Sequence, residues 1–383
     1  LVVSDLVDSR FERRGLVVKD SFGDFLTESD YVKNSSIYNS ISFGVKYSKN
    51  ISNNLIFGAA LSLLPYKSYD FVYEEEVRGQ LESNDGQIFS RDPLLGYHVL
   101  ESKGSQNLIG FGSSITWKVN SDVSASLGFA YNSIMESTIE ERAHVDTLSS
   151  SGMMLAENSN ELSNLPAYSI DYSLKASNFM GLGSSIKYKN YLFSFSFQDN
   201  AEINKVIDGD DYIEIFDSFL LDTLYTGNQL GISLLTDYFQ LKNSDIEKPK
   251  KLNLGFSILN EQSNSFSFII NYELNKYKES SLLKTNERFS LAVEHYTINQ
   301  IPLRFGLEYR TSEFRPHISS TSSFSMGSGV EFHGIKFDYG IKYKHTRYNY
   351  PDLFPVENEF RPDLDIVNDS KIILLGTLTY MFK

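Results

Sequence analysis

A two-residue rhythm limits most strongly what this chain can fold into. Ile41, Phe43, Val45 and Tyr47 alternate with Ser42, Gly44, Lys46 and Ser48. Val123, Ala125, Leu127, Phe129 and Tyr131 are interleaved with Ser124, Ser126, Gly128 and Asn132, and Tyr168, Ile170, Tyr172 and Leu174 with Ser169, Asp171 and Ser173. The rhythm returns in Leu303, Phe305, Leu307 and Tyr309, in Ile335, Phe337, Tyr339, Ile341 and Tyr343, and in the closing KIILLGTLTYMFK. Successive side chains of a strand point to opposite faces, so each stretch has one oily face and one mixed face. Helical spacing is almost absent, and the reading is all-β.

The connections sort into two kinds. SKNISNN, KN, NEQSN, NQIP and HG are short and rich in turn formers, whereas long segments run over roughly 79–104, 141–166, 204–249 and 345–370. Short and long alternate. A barrel with short periplasmic turns and long extracellular loops has this asymmetry, and a soluble sandwich has no reason for it. About thirteen strands are clear, near 38–49, 55–78, 105–119, 122–140, 168–189, 191–203, 250–260, 264–277, 286–298, 302–311, 322–333, 335–346 and 371–382. Bacterial barrels prefer even counts, which places one more strand before Tyr38, around RRGLVVKDSF. The expectation is a closed antiparallel transmembrane barrel of about fourteen strands over 38–383, with 1–37 supplying the first strand, a partial hatch, or both. Tyr380 and Phe382 then belong to the aromatic girdle. On parity, Phe43, Phe129, Tyr172, Leu307 and Tyr339 are expected to face lipid, and Lys46, Asp171, Arg304, Glu308 and Lys342 the lumen.

Composition removes other classes. The formal charge of -14 argues against a nucleic-acid partner, which needs a basic stripe. The absence of Cys excludes disulfides and thiolate chemistry. No run of about 18 apolar residues marks a transmembrane helix, which says nothing against strands. The chain opens on LVVSDLVDSR without a leader pattern, so any signal peptide is expected to have been removed. Its six His are scattered, without HExxH or a triad-like context, and GFGSS and GLGSS are strand glycines. Neither an enzyme nor a cofactor or metal site is expected.

YNSISFGVKYSKNISNNLIFGAALSLL, KPKKLNLGFSIL, IPLRFGLEYR and SSFSMGSGVEFHGIKFDYGIKYKHTRYNYPDLFP together resemble the FadL-type outer-membrane transporters of long-chain fatty acids and aromatic hydrocarbons. The likeness spans most of 38–383. It implies a bacterial outer-membrane location, and uptake of hydrophobic, fatty-acid-like molecules by capture at external loops and lateral exit through the barrel wall. Outer-membrane lipid and a hydrophobic small molecule are the implied partners. A passive porin for polar solutes is the alternative, as is an accessory barrel of a larger secretion or envelope complex.

Candidate sites follow. Pro65, in ALSLLPYKSYDF, lies within a strand; proline donates no ladder hydrogen bond, so it marks either a lateral gate or the end of the membrane crossing. Phe216, Phe219 and Leu220, in YIEIFDSFLLDTLY, form an apolar group in the longest loop, either a substrate-capture surface or a satellite core. Arg304 and Arg310 carry lumen parity and suit a substrate carboxylate by bidentate hydrogen bonds, or pair with Glu294, Glu308, Glu331 and Asp338 as a lumen wall. The acidic runs YEEEV and DGDD are read as solvated loop.

Overall fold

The computed structural model of the chain describes residues 2–15, 29–78, 94–147, 168–207, 245–260, 265–279, 281, 283–297, 301–313, 318–351 and 364–380. Every regular element among them is a strand. In chain order these are β1 (Val2–Gly15), β2 (Ser29–Ser52), β3 (Leu55–Ser68), β4 (Phe71–Arg78), β5 (Leu94–Lys103), β6 (Ser105–Lys118) and β7 (Val123–Ile134). Next come β8 (Ser137–Thr147), β9 (Tyr168–Leu174), β10 (Ser177–Tyr188), β11 (Tyr191–Gln198), β12 (Ala201–Ile203), β13 (Lys205–Ile207) and β14 (Ile246–Lys248). The last are β15 (Lys250–Ile258), β16 (Phe266–Lys276), β17 (Asn286–Tyr296), β18 (Pro302–Arg310), β19 (Ile318–Phe332), β20 (Ile335–Pro351) and β21 (Leu364–Tyr380).

Antiparallel pairing runs β1–β2–β3–β6–β7–β10–β11 and continues β15–β16–β17–β18–β19–β20–β21. The last strand pairs back onto the first, Val2–Leu6 against Ile373–Thr377. The strand expected around RRGLVVKDSF is β1, but it is centred earlier, because its partner β2 begins at Ser29 instead of near Tyr38 and draws Val2–Gly15 into register. At the HG turn, His333 and Gly334 have φ of 51° and 80°, the left-handed pair that lets a two-residue turn follow the strand twist.

Several expected strands are broken in two at one level. The breaks fall at Tyr69–Asp70, Gly104, Met135–Glu136, Lys175–Ala176 and Asp199–Asn200. Beyond them β4, β5, β8, β9 and β13 pair in series as an outer sheet, attached to the ring through β2. The backbone stays bonded across this crease, Tyr69 N–H to Gly104 O at 2.9 Å and Met135 N–H to Asn107 O at 2.8 Å. Inside the crease sits an apolar cluster of Leu108, Ile134, Phe179, Ile139, Tyr172 and Leu174, joined by Ala201 and Ile203. Thus 79–104 and 141–166 are not wholly loop: β5 and the end of β8 lie within them.

Along the ring, Phe43, Phe129, Leu307 and Tyr339 are exposed, as parity requires, and so is Tyr380. Phe382 lies outside the described residues. Tyr172 corrects the parity reading: it is 8% exposed, while Asp171 is exposed. The break at Lys175–Ala176 reverses which parity faces inward, so β9 turns Tyr172 and Leu174 into the crease.

Candidate functional site

The inner face of the ring is divided by residue size. From β2 to β11 it is built of small residues, among them Gly112, Ser114, Gly128, Ala130, Gly181 and Gly183. They leave a cavity of about 870 Å³, bounded toward the crease by Leu64, Leu108 and Phe179. Glycine here supplies space: a Cβ on Gly58 would meet Ser114 Oγ at 2.6 Å, and one on Gly110 would meet Ser62 Oγ at 2.7 Å.

From β16 to β20 the inner face is ionic. Arg304 Nε donates to Glu294 at 2.5 Å and its Nη1 to Asp338 at 2.7 Å, and Lys336 lies 3.3 Å from the other Asp338 oxygen. A second chain runs Glu273–Arg288–Glu308–Lys342, at 2.7, 3.9 and 3.1 Å. Arg310 reaches Glu313 at 3.4 Å. Arg304 and Arg310 therefore do not converge on one empty space: each guanidinium already has carboxylate company. The geometry supports the paired-wall reading of these charges.

Pro65 lies in β3 at a break of register. Opposite β6, Pro65 faces Asn107 and Lys67 faces Gln106, so one residue bulges. On its other side the ladder with β2 ends at Phe43–Leu63. It resumes only at Ser35–Val72, in β4. Residues 36–42 and 64–71 thus face each other without register, and Leu64, beside Pro65, lines the cavity. Phe216, Phe219 and Leu220 lie outside the described residues, as does DGDD; YEEEV falls on the β4 backbone rather than in a loop.

The patterning missed Lys248. It is 7% exposed, in β14, the partner of β12 in a small two-stranded sheet. Its ammonium lies 3.9 Å from the centre of the Phe179 ring and has no hydrogen-bond partner among the described residues. Burial, with Lys251 adding repulsion, pushes its pKa down to about 8. In the sequence Lys248 opens KPKKLNLGFSIL, and the one available signal is that it precedes a proline outside the alternation.

No family model matches the chain, and no curated protein is similar to it in sequence. Solved structures are similar in fold. The deltaS2 mutant of the monoaromatic hydrocarbon channel TodX aligns over 100% of this chain and 90% of its own, with a TM-score of 0.50 at 11% identity. A Pseudomonas aeruginosa FadL homologue aligns over 99% and 88%, with a TM-score of 0.47 at 11% identity. The Pseudomonas putida toluene transporter TodX aligns over 100% and 88%, at 0.47 and 12%. The fold is similar to that of the FadL-type channels. At such identities the likeness extends to the fold alone.

Proposed function

We propose that the ring of pairings is a closed fourteen-stranded barrel in a bacterial outer membrane, and that it takes up hydrophobic small molecules. A belt of exposed Phe, Leu, Ile and Tyr on the outer face would be insoluble in water and is stable in hydrocarbon. The observation that carries the uptake reading is the interrupted β2–β3 ladder at Pro65, which opens at the rim of the cavity. An intact ladder leaves no path between strands; here a molecule held among small side chains has an exit toward lipid. The fold of the hydrocarbon channel supports the same reading. The test is Pro65→Val, which restores the missing donor and lets β3 continue along β2. Uptake of a fluorescent fatty acid into cells is expected to fall several-fold, with thermal stability equal or higher. Full uptake by a well-folded variant removes Pro65 as the gate.

A second reading, a porin for polar solutes, has one observation in its favour: the inner face from β16 to β20 carries a strip of partly exposed charges.

A further inference from the structure

The ionic inner face does not balance toward the ends of β15 to β21 that carry the long connections. Lys251, Arg288, Arg310, Lys342, Lys344 and Lys371 share the inward parity there and are half-buried. Phe289, Tyr309, Tyr343 and Ile372, of the opposite parity, are exposed on the outer face. Three carboxylates answer some of these cations: Glu273 pairs with Arg288, Glu308 with Lys342, and Glu313 with Arg310. Lys251 and Lys344 have neither an ion pair nor a hydrogen bond among the described residues.

Register adds to the imbalance by setting like charges face to face. Arg288 lies opposite Arg310, and Lys344 opposite Lys371. Such cross-strand pairs repel and weaken the sheet. Arg310 also acts by charge on both Lys251 and Lys344, so the positive excess extends from β15 to β20. Buried Arg288 Nε is a donor without a partner among the described residues. In a chain of formal charge -14, a self-repelling cationic strip is the exception. An anion held among these side chains removes the repulsion.

We propose that this strip binds a small, multiply charged anion of the phosphate class, entering through lumen water. Arg310 stands at the centre of the site, with Lys251 and Lys344 closing on it from either side. Phosphate oxygens accept from several cations at once, and a guanidinium holds two of them in parallel. A single carboxylate would leave most of the excess in place, so the strip selects charge number over an apolar tail. The site goes beyond the uptake reading, because it uses neither the cavity nor Pro65.

The test is equilibrium dialysis of labelled pyrophosphate against the full chain in non-ionic detergent, with acetate as the singly charged control. Wild type is expected to bind pyrophosphate and not acetate, and the affinity should fall as salt is raised. The double variant Lys251→Gln, Lys344→Gln is expected to lose at least 10-fold in affinity, while Lys251→Arg, Lys344→Arg retains it. Heat-modifiable migration on gels verifies folding. Phosphatidate in the same micelles is expected not to displace pyrophosphate, because the lipid side of these strands carries Phe289, Tyr309 and Tyr343; displacement would assign the phosphate to a lipid instead. Fatty-acid uptake by the double Gln variant should stay within about twofold of wild type. No pyrophosphate binding by wild type, or full binding by a folded double Gln variant, overturns the site and leaves the uptake reading standing.

Discussion

Gly104 shows what a single position contributes. Its φ is +149°, and a Cβ there would lie 2.4 Å from Ile139 Cδ1 and 3.1 Å from the Thr138 carbonyl oxygen. Its N–H donates to Asp70 Oδ1 at 2.9 Å, fixing β3/β4 to β5/β6 at the crease. Gly104→Ala must both strain the backbone and push into the apolar cluster. A loss of about 1–3 kcal/mol is expected, read as a lower urea midpoint in detergent. The alternating pattern around it made β6 legible but gave no sign of this role. In SKGS a glycine reads as the end of a loop, and only the position of Ile139 shows that a side chain is forbidden there. Lys248 was hidden for the same reason: a buried amine is defined by what surrounds it in space.

At the scale of elements, facing directions were legible and partners were not. Parity placed Arg304, Glu308 and Lys342 inward because a charge facing lipid near the midplane costs roughly 2–4 kcal/mol. Which carboxylate each cation meets depends on register and reach: Glu294 lies opposite Arg304 and pairs with it, whereas Lys336 lies opposite Glu331 yet pairs with Asp338. Arg304 bridges β17 and β20 from β18, so Arg304→Gln leaves Glu294 and Asp338 without their shared cation. With the side chain about a third exposed, the expected loss is about 1–2 kcal/mol. Fatty-acid uptake should stay within about twofold of wild type, since the guanidinium serves the wall; abolished uptake in a stable variant would return Arg304 to the substrate. Tyr172 marks where parity fails: a two-residue break cannot be seen in a pattern whose alternation resumes on the far side.

For the whole molecule, the all-β class, the antiparallel order and thirteen of the ring strands were readable, because a strand with one oily and one mixed face writes period two into its sequence. The outer sheet was readable only in part: β4, the start of β8 and β9 fall within expected strands, while β5, the end of β8 and β13 lie in segments expected to be long connections. The two readings of function differ most at this scale. Purified protein in planar bilayers is expected to show brief, small conductance steps if it takes up hydrophobic molecules; a steady large conductance would favour the porin. The crease has a further consequence, for descent with modification. The strands from β3 to β12 are interrupted at the crease, by one or two residues that carry their own hydrogen bonds. A gain or loss of one residue inside a continuous strand would turn every side chain beyond it to the opposite face. Here such a change above the crease is absorbed at the interruption, so the exterior sheet is free to diversify in length and surface while the ring below keeps its alternation.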